Sequence, residues 1–144
     1  MNPHFAAILR LFHEENVEFL VIGAHALAAH GHVRATLDID LWVRPTPENA
    51  RRVWRALERF RAPLSKMEIG DFAAPEVLYQ IGVPPSRIDI MTSVTGLAFD
   101  AAWPNRLTAM FGDVPAPVLG LADMRTAKRA AGRLKDLADL EELG

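Results

Sequence analysis

The sequence has no cysteine, and this absence excludes several kinds of site. It can form no disulfide framework, no thiolate metal site and no cysteine nucleophile. Long hydrophobic runs are missing too, since no apolar stretch approaches the roughly 20 residues of a membrane-spanning helix. Residues 1–10 also lack the cationic and then apolar pattern of a secretory signal. We therefore expect a cytoplasmic protein with no membrane partner.

A surplus of basic residues is also lacking. The chain has 16 lysines and arginines against 18 aspartates and glutamates, for a formal net charge of -2. Proteins that lie along nucleic acid usually carry a basic excess, because their cations replace the counterions of the phosphates. Extensive binding of duplex DNA is therefore not expected. A small phosphorylated ligand, or brief contact with one end of an RNA, needs no such excess, and net charge does not separate those two.

Apolar residues, by contrast, are plentiful. They make up 50% of the 144 residues, which is enough to bury the core of one ordinary domain. No linker, internal repeat or low-complexity segment interrupts the chain. We therefore predict a single domain over residues 1–144, with C-terminal helices at 121–143 packing on the core.

Apolar periodicity predicts both helices and strands in this domain. Helical spacing is found at residues 3–15, 24–30, 47–60, 121–131 and 134–143. Strand patterns occur at residues 18–22, 37–43, 77–81 and 87–91, of which the last two would pair as a hairpin. Residues 99–106 suggest a helical turn, residues 107–119 contain strand-like pieces, and residues 62–75 give no clear pattern. The expected class is α/β (α+β), a small mixed sheet with flanking helices.

Three aspartates carry the main chemical signal. Strand alternation places Asp38 and Asp40 on one face of their strand, and it turns Asp89 away from the apolar side of another. If these strands are neighbours, three carboxylates share one small space, where a divalent cation would relieve their repulsion and desolvation. Oxygen ligands suit Mg²⁺ or Mn²⁺, which can orient phosphates for in-line displacement. The predicted metal ligands are therefore Asp38, Asp40 and Asp89.

A bare Asp-x-Asp on a strand is equally consistent with two acids that face solvent on a sheet and have no function. The preceding segment favours the functional interpretation. A predicted strand runs into Gly23, and a short helix from Ala24 would offer free N–H groups to a phosphate. Arg34 and Thr36 then come just before the acids. Each of these parts could help to hold a triphosphate.

The order of these motifs resembles the DNA polymerase β-like nucleotidyltransferase superfamily, with its apolar strand, glycine pair, Asp-x-Asp and later third acid. A closer resemblance is to the branch of AbiEii-like abortive-infection toxins, which show Arg-x-Thr-x-Asp-x-Asp, as this chain does at residues 34–40. That branch also has a late lysine helix and an Arg-x-Lys-Asp-x-x-Asp element. Their matches here are Lys128, Arg133, Lys135, Asp136 and Asp139.

The resemblance implies a metal-dependent enzyme that transfers a nucleoside monophosphate from a nucleoside triphosphate such as ATP to an acceptor hydroxyl. The acceptor could be tRNA, a protein or a small molecule, and a cognate antitoxin could be a partner. The implied catalytic residues are Asp38, Asp40 and Asp89. The implied nucleotide-binding residues are Gly23, Ala24, Arg34, Thr36, Lys128, Arg133 and Lys135. Asp136 and Asp139 could equally complement a helix N-terminus.

Ala24 is a departure from the family pattern, which has a second glycine or a serine at this place. The change removes a hydroxyl that could contact a phosphate. The alternative to an enzyme is therefore a weak or inactive nucleotidyltransferase fold that binds a nucleotide or a partner protein. A zinc site built from His25, His30 and His32 is disfavoured, because residues five apart on a short helix point to different sides.

Overall fold

The computed structural model describes residues 1–33, 38–83 and 86–143. Its strands are β1 (Phe19–Ile22), β2 (Ile39–Val43), β3 (Leu78–Ile81), β4 (Ile88–Met91), β5 (Leu107–Phe111) and β6 (Val114–Val118). Its α-helices are α1 (Pro3–Glu14), α2 (Gly23–Ala29), α3 (Pro47–Phe60), α4 (Phe99–Ala102), α5 (Leu121–Ala131) and α6 (Leu134–Leu143). Short 3₁₀ helices occur at Ile69–Ala73 and Trp103–Asn105. The predicted α+β class is confirmed.

All the strands named above belong to one mixed sheet, in the order β3-β4-β2-β1-β6-β5. Strand β1 is antiparallel to β2 and parallel to β6, and β2 is parallel to β4. The β3–β4 and β5–β6 pairs are antiparallel. As a result, the starts of β2 and β4 and the ends of β1, β3 and β6 lie at the same end of the sheet. Asp38, Asp40 and Asp89 lie at this end, which we call the carboxylate end.

The two faces of the sheet are covered by different helices. On one face, Phe19 packs edge to face against Phe12 of α1, with ring centroids 5.1 Å apart. On the same face, Tyr79 contacts Phe72, which in turn contacts Trp54 of α3. On the opposite face, Trp42 packs against Phe99 of α4 at 5.1 Å. Met124 of α5 and Leu143 of α6 are also part of the buried core.

The sequence predicted most of these elements to within a few residues. The β3–β4 hairpin is present as expected. The strand-like pieces at 107–119 form a complete hairpin, in which Gly112 takes a left-handed φ of 65° at the turn. The segment that gave no pattern contains the 3₁₀ helix at Ile69–Ala73, held by the buried Phe72. No helix in the described part of the chain is both long and apolar enough to cross a membrane.

Candidate carboxylate site

The parallel pairing of β2 with β4 brings the aspartates together. Asp40 is the register partner of Asp89, so both side chains leave the same face of the sheet. Asp38 precedes Asp40 by two residues, and the same alternation directs it to that face. The expectation that the three acids meet at one end of the sheet agrees with this geometry.

An arginine lies between two of these acids. Arg87 Nε is 2.9 Å from Asp89 Oδ1, and Arg87 Nη2 is 3.2 Å from Asp38 Oδ2. The backbone adds further links, because Arg87 N donates to Asp38 Oδ1 at 3.2 Å and Ile39 N donates to the Arg87 carbonyl at 3.1 Å. One guanidinium therefore joins the starts of the two central strands.

Arg87 was not among the predicted site residues, although the sequence contains a signal for it. The residue lies two positions before Asp89, and strand alternation places residues two apart on the same face. A cation at that spacing is therefore expected beside the Asp89 carboxylate. Its second partner, Asp38, depends on the pairing of β2 with β4.

The third acid, Asp40, packs against the start of α2. Gly23 has a φ of 71°, and a Cβ built on it would overlap Asp40 Oδ2. Glycine is needed here for two reasons, because a side chain would strain the left-handed backbone and would displace the carboxylate. The glycine of the sequence motif thus permits close approach of Asp40 to the backbone.

Burial and like charge act together on Asp40. Burial is the larger effect, and with the neighbouring carboxylates of Asp89 and Asp38 it raises the pKa of Asp40 to about 6. The positive charge of Arg87 opposes this rise. Asp89 is also buried, with 8% of its surface exposed. Such a group of acids is stabilised by a proton or a cation.

The chemistry of the donor set fits a hard divalent cation, because the three acids supply only oxygen atoms. Their present arrangement does not form a ready coordination shell. Among residues 1–33, 38–83 and 86–143, no three or more histidine, aspartate or glutamate side chains are grouped so that they could hold a metal ion. The Arg87 guanidinium lies between Asp38 and Asp89. Metal binding by Asp38, Asp40 and Asp89 stays a prediction.

The predicted phosphate-binding residues fall into separate regions. Gly23 and Ala24 open α2 beside Asp40. Arg34 and Thr36 lie outside the described residues. Lys135 is exposed on α6. Contact of any of these residues with a nucleotide stays a prediction.

Lys128 and Arg133 form an ion-pair network that joins α5 to α6. Lys128 Nζ is 3.4 Å from Asp136 Oδ1 and 2.9 Å from Asp139 Oδ2, while Arg133 Nε is 2.6 Å from Asp136 Oδ2. Both acids are almost fully buried. The network gives both cations a structural role, and their binding of a nucleotide stays a prediction.

Asp136 also caps α6, as the alternative interpretation of its position suggested. The backbone N–H of Arg133 donates to Asp136 Oδ2 at 3.2 Å. The hydrogen bond from the Arg133 side chain is the main reason that the pKa of Asp136 falls to about 2, with a further contribution from Lys128. The acid therefore stays ionised over the ordinary pH range.

Two histidines near the site have structural contacts. The His25 ring packs edge to face on Phe5 at 5.5 Å. Burial lowers the pKa of His25, and a hydrogen bond to the backbone of Asp38 partly offsets that effect. His30 Nε2 donates to the Leu119 carbonyl at 2.9 Å. These contacts give His25 and His30 structural roles.

Comparison with known proteins supports the fold. No family model matches the sequence, and no curated protein matches it. Among solved structures, the chain is similar to a crystal structure from Thermotoga maritima described as a "putative nucleotidyltransferase". The TM-score is 0.61 at 18% sequence identity, over 99% of this chain and 93% of the other. The protein therefore has a nucleotidyltransferase-like fold, and this similarity does not extend to the AbiEii-like branch.

Proposed function

We propose that this protein is a metal-dependent nucleotidyltransferase, which moves a nucleoside monophosphate from a nucleoside triphosphate to an acceptor hydroxyl. The observation that carries the proposal is the meeting of Asp38, Asp40 and Asp89 at one end of the sheet. The nucleotidyltransferase-like fold supports it, because the acids lie on its central strands. The acceptor is a tRNA, a protein or a small molecule.

In the proposed reaction, the acceptor oxygen attacks the α-phosphorus in line. A bond forms between that oxygen and phosphorus, the bond to the bridging oxygen of pyrophosphate breaks, and pyrophosphate leaves. Asp38 or Asp89 takes the proton of the acceptor hydroxyl. Asp38, Asp40 and Asp89 would hold Mg²⁺ or Mn²⁺, which would supply positive charge to the phosphates and the developing oxyanion.

Gly23 has a supporting role in this proposal. Its missing side chain leaves the Asp40 carboxylate against the backbone at the start of α2. A triphosphate beside Asp40 would then lie near the first N–H groups after β1. Arg34 and Thr36, which precede the acids in sequence, are proposed to hold phosphates of the same triphosphate.

A second candidate is a binding module that holds a nucleotide or a partner protein, such as a cognate antitoxin, without turnover. Two observations favour it. Ala24 lacks the hydroxyl that a serine would offer, and the Arg87 guanidinium lies between two of the acids that would bind metal. This candidate and the enzyme share the same site and differ in whether product forms.

Transfer of label separates the two candidates. The protein would be incubated with nucleoside triphosphates radiolabelled at the α-phosphate, with Mg²⁺ or Mn²⁺, and with RNA, protein and small-molecule acceptor pools in turn. We expect one pool to be labelled, and we expect Asp40→Ala to abolish labelling. Asp113→Ala is the matched control, because Asp113 is an acid with 87% of its side chain exposed, and its ion pair is with Arg10.

Two results would contradict the proposal. Labelling that survives Asp40→Ala would remove the carboxylate site from the mechanism. Absence of labelling from every pool with both metals, while the nucleotide still binds, would favour the binding module.

A further inference from the structure

We propose that Arg87 is a built-in counter-ion of the carboxylate site, which a divalent cation must displace in order to bind. The inference rests on the proposed function, since it concerns the metal that the transferase would use. Its test measures metal binding alone, so it can fail while the transferase proposal stands.

Arg87 and a divalent cation would compete for the same oxygen atoms. Arg87 Nε and Nη2 lie 2.9 and 3.4 Å from the two carboxylate oxygens of Asp89, and Nη2 also lies 3.2 Å from Asp38 Oδ2. A magnesium ion needs oxygen ligands at about 2.1 Å in a nearly octahedral shell. A cation between Asp38 and Asp89 would have to occupy the space of the guanidinium, and the two positive charges would repel.

The Arg87 side chain can leave the two acids without unfolding of the strand. Its side chain is 30% exposed, so the guanidinium has access to solvent. Its backbone contacts with Asp38 and Ile39 do not depend on the side chain. Rotation of a long side chain therefore exchanges its ion pairs for water while the pairing of β2 with β4 remains.

The positive charge of Arg87 also has an effect when no metal is bound. The negative charges of neighbouring carboxylates repel one another, and Arg87 is a cation that contacts both Asp38 and Asp89. Loss of this charge should destabilise the metal-free protein and, at the same time, remove the competitor of the metal.

Replacement of Arg87 should thus lower the stability of the metal-free protein and raise its affinity for metal. This combination distinguishes a counter-ion from an ordinary structural residue. A residue that only supports the fold would weaken metal binding, or leave it unchanged, when it is replaced. A displaceable counter-ion should strengthen metal binding when it is replaced.

The test measures Mn²⁺ binding by isothermal titration calorimetry at fixed pH and ionic strength. We expect Arg87→Gln to bind Mn²⁺ about tenfold more tightly than the unmodified protein, and to have a lower melting temperature without metal. Arg51→Gln is the matched control, because it removes the same charge from an exposed position on α3 and should leave the affinity for Mn²⁺ unchanged.

A second variant protects the test against misfolding of Arg87→Gln. Arg87→Lys keeps the positive charge but lacks the planar fork that reaches both acids. Its affinity for Mn²⁺ should lie between those of the other two proteins. In the unmodified protein, the Nε–H resonance of Arg87 should shift when Mg²⁺ is added, because its bond to Asp89 is broken.

Each possible result decides a separate point. Equal or weaker Mn²⁺ binding by both Arg87 variants, with binding by the unmodified protein intact, would overturn the inference alone. Absence of Mn²⁺ binding from the unmodified protein and from both Arg87 variants would overturn the inference and the metal-dependent function together. If Asp38→Asn also binds Mn²⁺ more tightly, the tighter binding of Arg87→Gln would reflect a loss of order at the site and not the removal of a competing cation. That result would overturn the inference.

Discussion

Gly23 lies against the carboxylate of Asp40 so closely that a methyl group on Gly23 would overlap Asp40 Oδ2. The contact joins the end of β1 to the start of β2, and it places an acid that the proposed reaction needs. Replacement of Gly23 should therefore affect both stability and ligand binding.

Gly23→Ala should destabilise the protein by about 2–4 kcal/mol, because strain of the left-handed backbone adds to the overlap with Asp40. Gly31→Ala is the matched control, since Gly31 also has a positive φ, of 92°, but a Cβ there would meet nothing within 4 Å. It should cost about 1 kcal/mol. Denaturant unfolding measures the loss of stability in both variants. Equal losses would show that the contact with Asp40 makes no contribution to the effect of Gly23→Ala.

Asp40→Asn should stabilise the protein above about pH 6. The pKa of Asp40 rises from 3.8 to about 6 in the folded state, so the folded state binds more protons between these values. The contribution of Asp40 to stability therefore falls as the pH rises through this window. After a discount for partial exposure, the gain from asparagine should be about 1–2 kcal/mol.

The gain from Asp40→Asn should shrink as the pH is lowered toward 4, where the native carboxyl is already protonated. Urea unfolding between about pH 4 and pH 8 measures this trend. Asp113→Asn, at an exposed acid, is the matched control. A gain from Asp40→Asn that stays constant over the whole range would refute the link to the Asp40 carboxyl.

Nucleotide and metal together should raise the melting temperature. A triphosphate that binds only the folded protein stabilises it in proportion to the logarithm of its excess over the dissociation constant. Asp38→Asn should abolish this shift, because it removes the negative charge of a proposed metal ligand. Thermal unfolding with and without ATP and Mg²⁺ tests the prediction. Full protection of Asp38→Asn by ATP and Mg²⁺ would remove Asp38 from the site.

Asp136→Asn should destabilise the protein by about 2–3 kcal/mol, since Lys128 and Arg133 would lose a buried anionic partner. The pKa of Asp136 falls to about 2 in the folded state, so its stabilisation is present above about pH 4 and is lost as the pH falls toward 2. Unfolding by denaturant at neutral and acid pH measures this loss. Lys135→Ala, at an exposed position on the same helix, should change little, and an equal effect of the two substitutions would contradict the ion-pair network.

The sequence by itself determined the local features of this protein. Apolar spacing predicted α1, α3, α5 and α6, because one face of each helix must be buried. Alternation along β2 and β4 predicted which way Asp38, Asp40 and Asp89 point. These features depend on backbone geometry within a few residues, so a short window of sequence contains the information.

Only the tertiary structure decided which distant residues touch. The parallel pairing of β2 with β4 gave Arg87 its second partner, Asp38, across 49 residues. The antiparallel pairing of β2 with β1 placed Asp40 against Gly23. The turn at Gly132 paired Lys128 with Asp136 and Asp139. Such contacts are selected by the burial of apolar residues from separate segments in one core, a condition that local periodicity does not contain.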